Sequence, residues 1–232
     1  MILFCLPYAG GSKLIYTNWQ KHLNPSIKFE PIELKGRGKR GDENFYESFN
    51  EAIDDLFLRI KEKITHNKYA IFGHSLGGLL TYELYYKICD EHLPQPKHLF
   101  FSGNVAPSVR ELKELHKLPD NQFMKEIIDL GGTPEEVLKN EELRSLVLPI
   151  LRSDIKLNEN YVYKERKEKI ACDVTVLNGK EEDISLEKLL EWKNHCVSFK
   201  IHMVEGNHFF INSDIENIMQ IINFELNKHI RR

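Results

Sequence analysis

Tyr69-Ala70-Ile71-Phe72-Gly73-His74-Ser75-Leu76-Gly77-Gly78 decides the fold. A short apolar run passes directly into a GxSxG string, and Leu79, Leu80, Tyr82, Leu84, Tyr85 and Ile88 then continue as a mostly apolar helix. The string alone arises by chance in roughly one chain in ten of this length, so its setting has to carry the reading. Strand, sharp turn and helix in that order make a nucleophile elbow, in which the serine takes a strained backbone and its hydroxyl stands clear of the sheet. Gly73 and Gly77 flank the turn where a side chain would clash. The amide of Leu76, in the first helical turn, then faces the place where a carbonyl oxygen would become anionic.

The chain has 232 residues, 41% of them hydrophobic, enough to bury about three quarters of its unfolded surface in one α/β domain with an insertion. A net charge of -3 argues against a general nucleic-acid binder. The opening Met1-Ile2-Leu3-Phe4-Cys5-Leu6-Pro7 has no basic segment and too short an apolar run for a signal peptide or membrane span. A cytoplasmic protein, with no membrane partner and acting as a monomer, is expected. Cys5, Cys89, Cys172 and Cys196 form no CxxC pair and are expected as free thiols, not as disulfides or metal ligands.

Ile2 to Leu6 reads as a buried strand running into Pro7-Tyr8-Ala9-Gly10-Gly11-Ser12, a turn whose glycines let backbone amides face a ligand. Ala9, with Tyr8 as the alternative, is the expected second oxyanion amide beside Leu76. After a strand at Ile27 to Leu34, Gly36-Arg37-Gly38-Lys39-Arg40-Gly41 matches the GxGxxG dinucleotide fingerprint. That match fails on context. The fingerprint needs a helix beginning inside the glycines, whereas the helix signal starts near Ser48, where Ser48 and Glu51 suggest a capping box ahead of the Ile53, Leu56, Phe57, Ile60 and Ile64 stripe.

After a strand at His98 to Ser102, helical signal replaces α/β alternation until the next strand at Asp173 to Leu177. Residues 107–163 therefore read as a helical lid insertion within the single domain. One segment carries Phe123, Ile127 and Ile128. A Gly131-Gly132 stop precedes the helix start Thr133-Pro134-Glu135-Glu136, and Leu143, Leu146, Val147, Ile150 and Leu151 form another stripe with Pro149 expected to kink it. These stripes are expected to pack on the body, with some members lining an acyl channel.

Two later strand ends offer an acid and a histidine: Asn178-Gly179-Lys180-Glu181-Glu182-Asp183, and Glu205-Gly206-Asn207-His208 before a final helix striped by Ile215, Ile218, Met219, Ile222 and Leu226. Asp183 is the expected acid, in competition with Glu181 and Glu182. The order Ser75, Asp183, His208 is that of the α/β-hydrolase triad. His74 is held beside the serine and poorly placed to reach its hydroxyl. His22, His66, His92, His116 and His229 sit in helical or polar surroundings and are expected in solvent.

Along nearly its whole length the chain resembles the type II, or editing, thioesterases that accompany nonribosomal peptide and polyketide synthases. The resemblance rests on Leu6-Pro7-Tyr8-Ala9-Gly10-Gly11-Ser12, Leu34-Lys35-Gly36-Arg37-Gly38-Lys39-Arg40, Gly73-His74-Ser75-Leu76-Gly77-Gly78, Leu130-Gly131-Gly132-Thr133-Pro134-Glu135-Glu136 and Glu205-Gly206-Asn207-His208-Phe209-Phe210. It implies an α/β-hydrolase fold, a mostly parallel sheet flanked by helices, and serine hydrolysis of acyl thioesters on the phosphopantetheine arm of acyl or peptidyl carrier proteins. In that scheme Ser75 is the nucleophile, Asp183 the orienting acid, His208 the base, and Leu76 and Ala9 the oxyanion amides. No metal or other cofactor is implied, since the phosphopantetheine belongs to the substrate. Two positions depart from the family pattern: Lys35 stands where a proline is common, and Asp183 lies about one residue further from Gly179 than is usual. Carrier proteins are typically acidic, so some of Arg37, Lys39 and Arg40, with Arg37 and Arg40 the first choices, are expected to face the docked carrier or its phosphate. The alternatives are a small-molecule esterase or lipase, an acyl-coenzyme A thioesterase, or a silent module that grips carrier proteins.

Overall fold

The apolar runs become strands β1 (Ile2–Leu6), β2 (Lys28–Pro31), β3 (Tyr69–His74), β4 (His98–Ser102), β5 (Asp173–Gly179) and β6 (Lys200–Val204). All pair in parallel in one sheet of order β2-β1-β3-β4-β5-β6. The computed structural model describes residues 1–110, 113–132 and 140–230. Every residue of β1, β3 and β4 is buried, which is why these segments read as continuous apolar runs instead of alternating ones. β2 is shorter than the expected Ile27–Leu34 segment. It lies at the sheet edge and ends at Pro31, which has no N–H to donate.

Helices α1 (Phe49–His66), α2 (Leu76–Asp90), α3 (Asp120–Asp129), α4 (Glu141–Glu159), α5 (Leu186–Leu190), α6 (Phe210–Ser213) and α7 (Ile215–Ile230) follow in chain order. Alternate strand residues feed two cores. Phe4, Ile71, Phe101 and Val176 pack with the apolar faces of α1 and α2, and Leu3, Phe72, Phe100 and Leu177 pack with Trp19 and with Ile218, Met219 and Ile222 of α7. Such two-sided cover is what a parallel sheet requires. α1 starts where expected, with the Ser48 hydroxyl accepting from the Glu51 amide at 3.2 Å. The Glu51 carboxylate accepts from the Glu47 amide, so the reciprocal half of the box falls one residue earlier. The four cysteines are free thiols. Among the described residues no helix is long and apolar enough to cross a membrane.

The strand order runs outward from β1 in both directions, so β1 and β3 flank a topological switch point, and Leu6 pairs with Gly73 at their C-terminal ends. Ligands of open α/β sheets bind in the crevice outside such a point. The Pro7–Ser12 loop and Ser75 both emerge there.

α3 and α4 lie between β4 and β5, within the expected insertion. Phe123, Met124, Ile127 and Leu151 form a small core of their own. The first half of α4 leaves Leu143 and Leu146 exposed, and the buried residues Leu151, Asp154 and Leu157 are in its second half, past Pro149. The expected helix start at Thr133–Glu136 lies outside the described residues.

Arg37 and Arg40 do not face outward, as a carrier contact would require. Both are buried. The Arg37 guanidinium grips Asp154 of α4 through two bonds of 2.5 and 2.7 Å and donates to the Gly11 carbonyl at 3.0 Å. Arg40 grips Asp55 of α1 at 2.8 and 2.9 Å and also bonds Glu43. The chain reverses through Gly36 and Gly38, both at positive φ, and turns these side chains inward. A buried guanidinium survives only with such planar, two-point pairing. Lys39, between them, is exposed.

Removing one partner of a buried ion pair strands the other charge. Arg37→Ala is therefore expected to cost about 3–5 kcal/mol in urea unfolding, whereas Lys39→Ala should stay within about 0.5 kcal/mol. Equal, small effects would show that the Arg37–Asp154 pair does not hold α4 to the body.

Candidate active site

Between β3 and α2 the backbone of Ser75 is forced to φ 54° and ψ -115°, outside the regions a side chain prefers. Close packing imposes this. A methyl on Gly73 would run into the Gly77 carbonyl and the Thr81 hydroxyl, and one on Gly77 would strike the Leu6 carbonyl of β1. Hydrogen bonds hold the turn from both sides: the Ser75 amide donates to the Ser102 carbonyl at 2.8 Å, and the Ser75 carbonyl accepts from Asn104 Nδ2 at 2.5 Å. Asn104 is fixed in turn by the Trp192 indole, which donates to its carbonyl at 3.2 Å. Asn104 had no assigned role in the sequence, because the contact depends on β4 lying beside β3.

Leu76 is the first residue of α2, and its amide donates to no described residue; the same holds for the amide of Ala9. The loop carrying Ala9 is shaped from outside. The Gly10 amide donates to Asp154 Oδ2 at 2.7 Å, the oxygen that Arg37 also holds, and Leu151 packs against Gly10. Two residues of α4 therefore buttress the loop beside the serine. Asp154 could have been suspected from the sequence, since an acid stands between Leu151 and Leu157 on the apolar face of its helix.

His208 follows β6, and its ring lies 5.0 Å from that of His74, with both rings against Gly103 at the end of β4. Its carboxylate partner is Glu182. His208 Nδ1 lies 2.5 Å from Glu182 Oε1, and Oε2 accepts from the Gly179 amide at 3.0 Å. A carboxylate can only accept, so Nδ1 carries a proton, and in the neutral ring the free lone pair is on Nε2. Asp183, the expected acid, is exposed and makes no hydrogen bond to His208 among the described residues. The reason is local: the Glu182 amide closes a turn onto the Gly179 carbonyl, while the Lys180 and Glu181 amides bond Val204 and Gly206. This pinned turn folds the side chain of Glu182 inward and leaves its neighbours Glu181 and Asp183 in solvent. Glu182 also removes the one-residue offset that Asp183 showed from Gly179.

Around the imidazole the walls are aromatic. Tyr8 meets Phe209 edge-on at 5.1 Å and His74 at 5.8 Å, and Gly132, past the end of α3, lies against the Phe209 ring. Described residues of the expected insertion thus touch the site at two places, Gly10 and Phe209. His74 is fully buried, with Nδ1 2.8 Å from the Ser102 hydroxyl and no hydrogen-bond partner for Nε2. Burial, reinforced by the nearby His208, pushes its pKa well below 6.5.

This has a consequence for acid stability. The unfolded chain takes up a proton on His74 below about pH 6.5 and the folded chain does not, so stability present at neutral pH falls as the pH drops. At pH 5.0 the loss from this one group is at most about 2 kcal/mol, the limit set by the unfolded pKa. Urea titrations at pH 5.0 and 7.5 should show a drop in wild type that is smaller in His74→Gln. An unchanged drop in the variant would mean that His74 is not held neutral by the fold.

Residues 1–226 match the family model described as "Thioesterase domain". Linear gramicidin dehydrogenase LgrE of Brevibacillus parabrevis is 35% identical over 99% of this chain and 89% of its own length. Thioesterase PikA5 of Streptomyces venezuelae is 33% identical over 97% of this chain and 80% of its own. Among solved structures, ClbQ from the colibactin NRPS/PKS pathway superposes with a TM-score of 0.93 at 34% identity, covering 98% of this chain and 97% of that one. The expected α/β-hydrolase fold is thereby established, and the chain belongs to the thioesterase domain family.

Proposed function

We propose that the protein is an editing thioesterase that hydrolyses misprimed or stalled acyl groups from the phosphopantetheine arm of carrier-protein domains in a nonribosomal peptide or polyketide synthase. The observation that carries the chemistry is the Glu182–His208 hydrogen bond beside the strained Ser75 elbow, at the switch point of the sheet. The triad is Ser75, His208 and Glu182, with glutamate as the acid.

His208 Nε2 takes the proton of the Ser75 hydroxyl as Oγ attacks the thioester carbonyl, and the amides of Leu76 and Ala9 receive the developing oxyanion. The imidazolium is steadied by Glu182 and gives its proton to the departing pantetheine sulfur. Water, activated by the same imidazole, then releases the acid from Ser75. Residues 107–163 act as the lid. α4 is anchored by Arg37 at one end and carries exposed leucines at the other, a distribution suited to opening for a tethered substrate. Every proposed catalytic group comes from one chain, so a monomer suffices, working in the cytoplasm where a synthase assembles its product.

A nucleotide-dependent reading, which the name of one relative invites, would need the GxGxxG loop to open a helix. Here the loop itself holds only a 3-10 turn, Gly38–Arg40, α1 begins only at Phe49, and Arg37 and Arg40 are committed to ion pairs. A simple esterase would share the triad and differ in where its binding energy comes from. An editing enzyme meets many acyl shapes, so discrimination has to come from the arm and the carrier.

Wild-type protein should cleave an acetyl-carrier at least about tenfold faster in kcat/KM than acetyl-coenzyme A. Ser75→Ala should lose a factor of about 10⁴ or more on both, and lose labelling by a fluorophosphonate probe. Equal rates on the two thioesters together with faster cleavage of a p-nitrophenyl ester would favour the esterase. Labelling without turnover on any of the three would favour a binding module.

A further inference from the structure

The other end of the sheet, away from the elbow, holds chemistry that ester hydrolysis does not use. His98 and Asp173 are the first residues of β4 and β5, and the strand register pairs them directly, so their side chains leave the same face. α7 crosses that face and brings His229 over them. One ligand atom from each of the three side chains lies within 4.8 Å of the other two. His229, expected in solvent, has a side chain only 16% exposed, and its Nε2 lies 3.2 Å from Asp173 Oδ2.

His98 is the informative member. It is 1% exposed and stacked on Phe100 at 4.3 Å. Its Nε2 is 2.8 Å from the Thr175 hydroxyl, and its buried Nδ1 has no hydrogen-bond partner. An unmet ring nitrogen at such depth costs free energy comparable to a lost hydrogen bond. A metal ion would satisfy it. Imidazole ligands characteristically use one nitrogen for the metal and the other for a hydrogen bond that fixes the ring, the arrangement Thr175 provides. Deep burial also disfavours a charged ring, leaving the neutral form that ligates.

We propose that His98, Asp173 and His229 form a site for a divalent transition-metal ion of the zinc type, with water from solvent completing the shell. Two imidazoles and a carboxylate are the donor set that such ions prefer, whereas magnesium and calcium favour oxygen. Bonds of about 2.0–2.1 Å put tetrahedral ligand atoms about 3.4 Å apart, so the present spacing must close by roughly an ångström. Asp173, with its side chain 53% exposed, and His229, one residue from the end of α7, have room to move. Both line an open cleft of about 700 Å³, bounded also by Lys68, Pro94 and Cys172, through which an ion can enter. The neighbouring charges do not oppose it: Lys200 and Lys228 are both paired with the buried Glu225. Binding here would tie α7, and through it the His208 segment, to the strand starts.

The site is independent of the thioesterase reading and is tested separately. Chelator-treated protein is titrated with Co²⁺, followed by its visible ligand-field band, and with Zn²⁺ by calorimetry and thermal unfolding. One equivalent is expected to bind, giving a low-coordinate Co²⁺ spectrum and a raised Tm. His229→Ala and Asp173→Asn should each weaken binding by at least about tenfold while leaving thioester turnover unchanged, and His208→Ala should bind metal as wild type does. Absence of saturable binding would overturn the proposal. So would binding that survives both substitutions or is lost in His208→Ala.

Discussion

The molecule depends on how closely β3 and α2 pass each other and β1. Gly73 and Gly77 are bare because the Gly77 carbonyl, the Thr81 hydroxyl and the Leu6 carbonyl occupy the space a side chain would need. That compression puts Ser75 at φ 54°, a conformation worth about 1–3 kcal/mol of strain. The surrounding sheet sustains it: Ser102 and Asn104 bind the serine's own amide and carbonyl, and Trp192 holds Asn104. The strained residue is thus fixed by its backbone, which leaves its hydroxyl for chemistry.

A second constraint links the site to the insertion above it. Asp154 of α4 reaches Arg37 and the Gly10 amide with the same oxygen, so the loop bearing Ala9, the glycine-rich turn after β2 and the helix of the insertion meet at one buried carboxylate. The position of that loop therefore depends on α4 being seated. In the proposed mechanism this couples closure of the insertion to assembly of the oxyanion site.

Much of this was legible in the chain. The apolar runs gave the strands because a parallel sheet buries both faces, and the GxSxG string between a run and a helix gave Ser75. What failed did so for physical reasons. Arg37 and Arg40 looked like a docking patch because basic residues in a loop are usually solvated; their carboxylate partners, Asp154 and Asp55, lie far along the chain in other helices. Glu182 and Asp183 are adjacent acids in one loop, and only the Gly179 turn decides which side chain points inward. Leu143 and Leu146 have helical spacing, but nothing in the described chain covers them. His98 read simply as the start of a strand. Its polar neighbours come from β5 and α7, which the sequence places far away.

The turn at Gly179 delivers Glu182, and not Asp183, to His208. Steady-state kcat on an acyl-carrier thioester for Glu182→Gln and Asp183→Asn tests it most directly. The amide in place of Glu182 keeps the shape but can stabilise neither the tautomer with the proton on Nδ1 nor the imidazolium, so kcat should fall by about 10⁴. Asp183→Asn, in solvent, should stay within about twofold of wild type. A large loss at Asp183 with Glu182→Gln near wild type would make Asp183 the partner of His208 in catalysis.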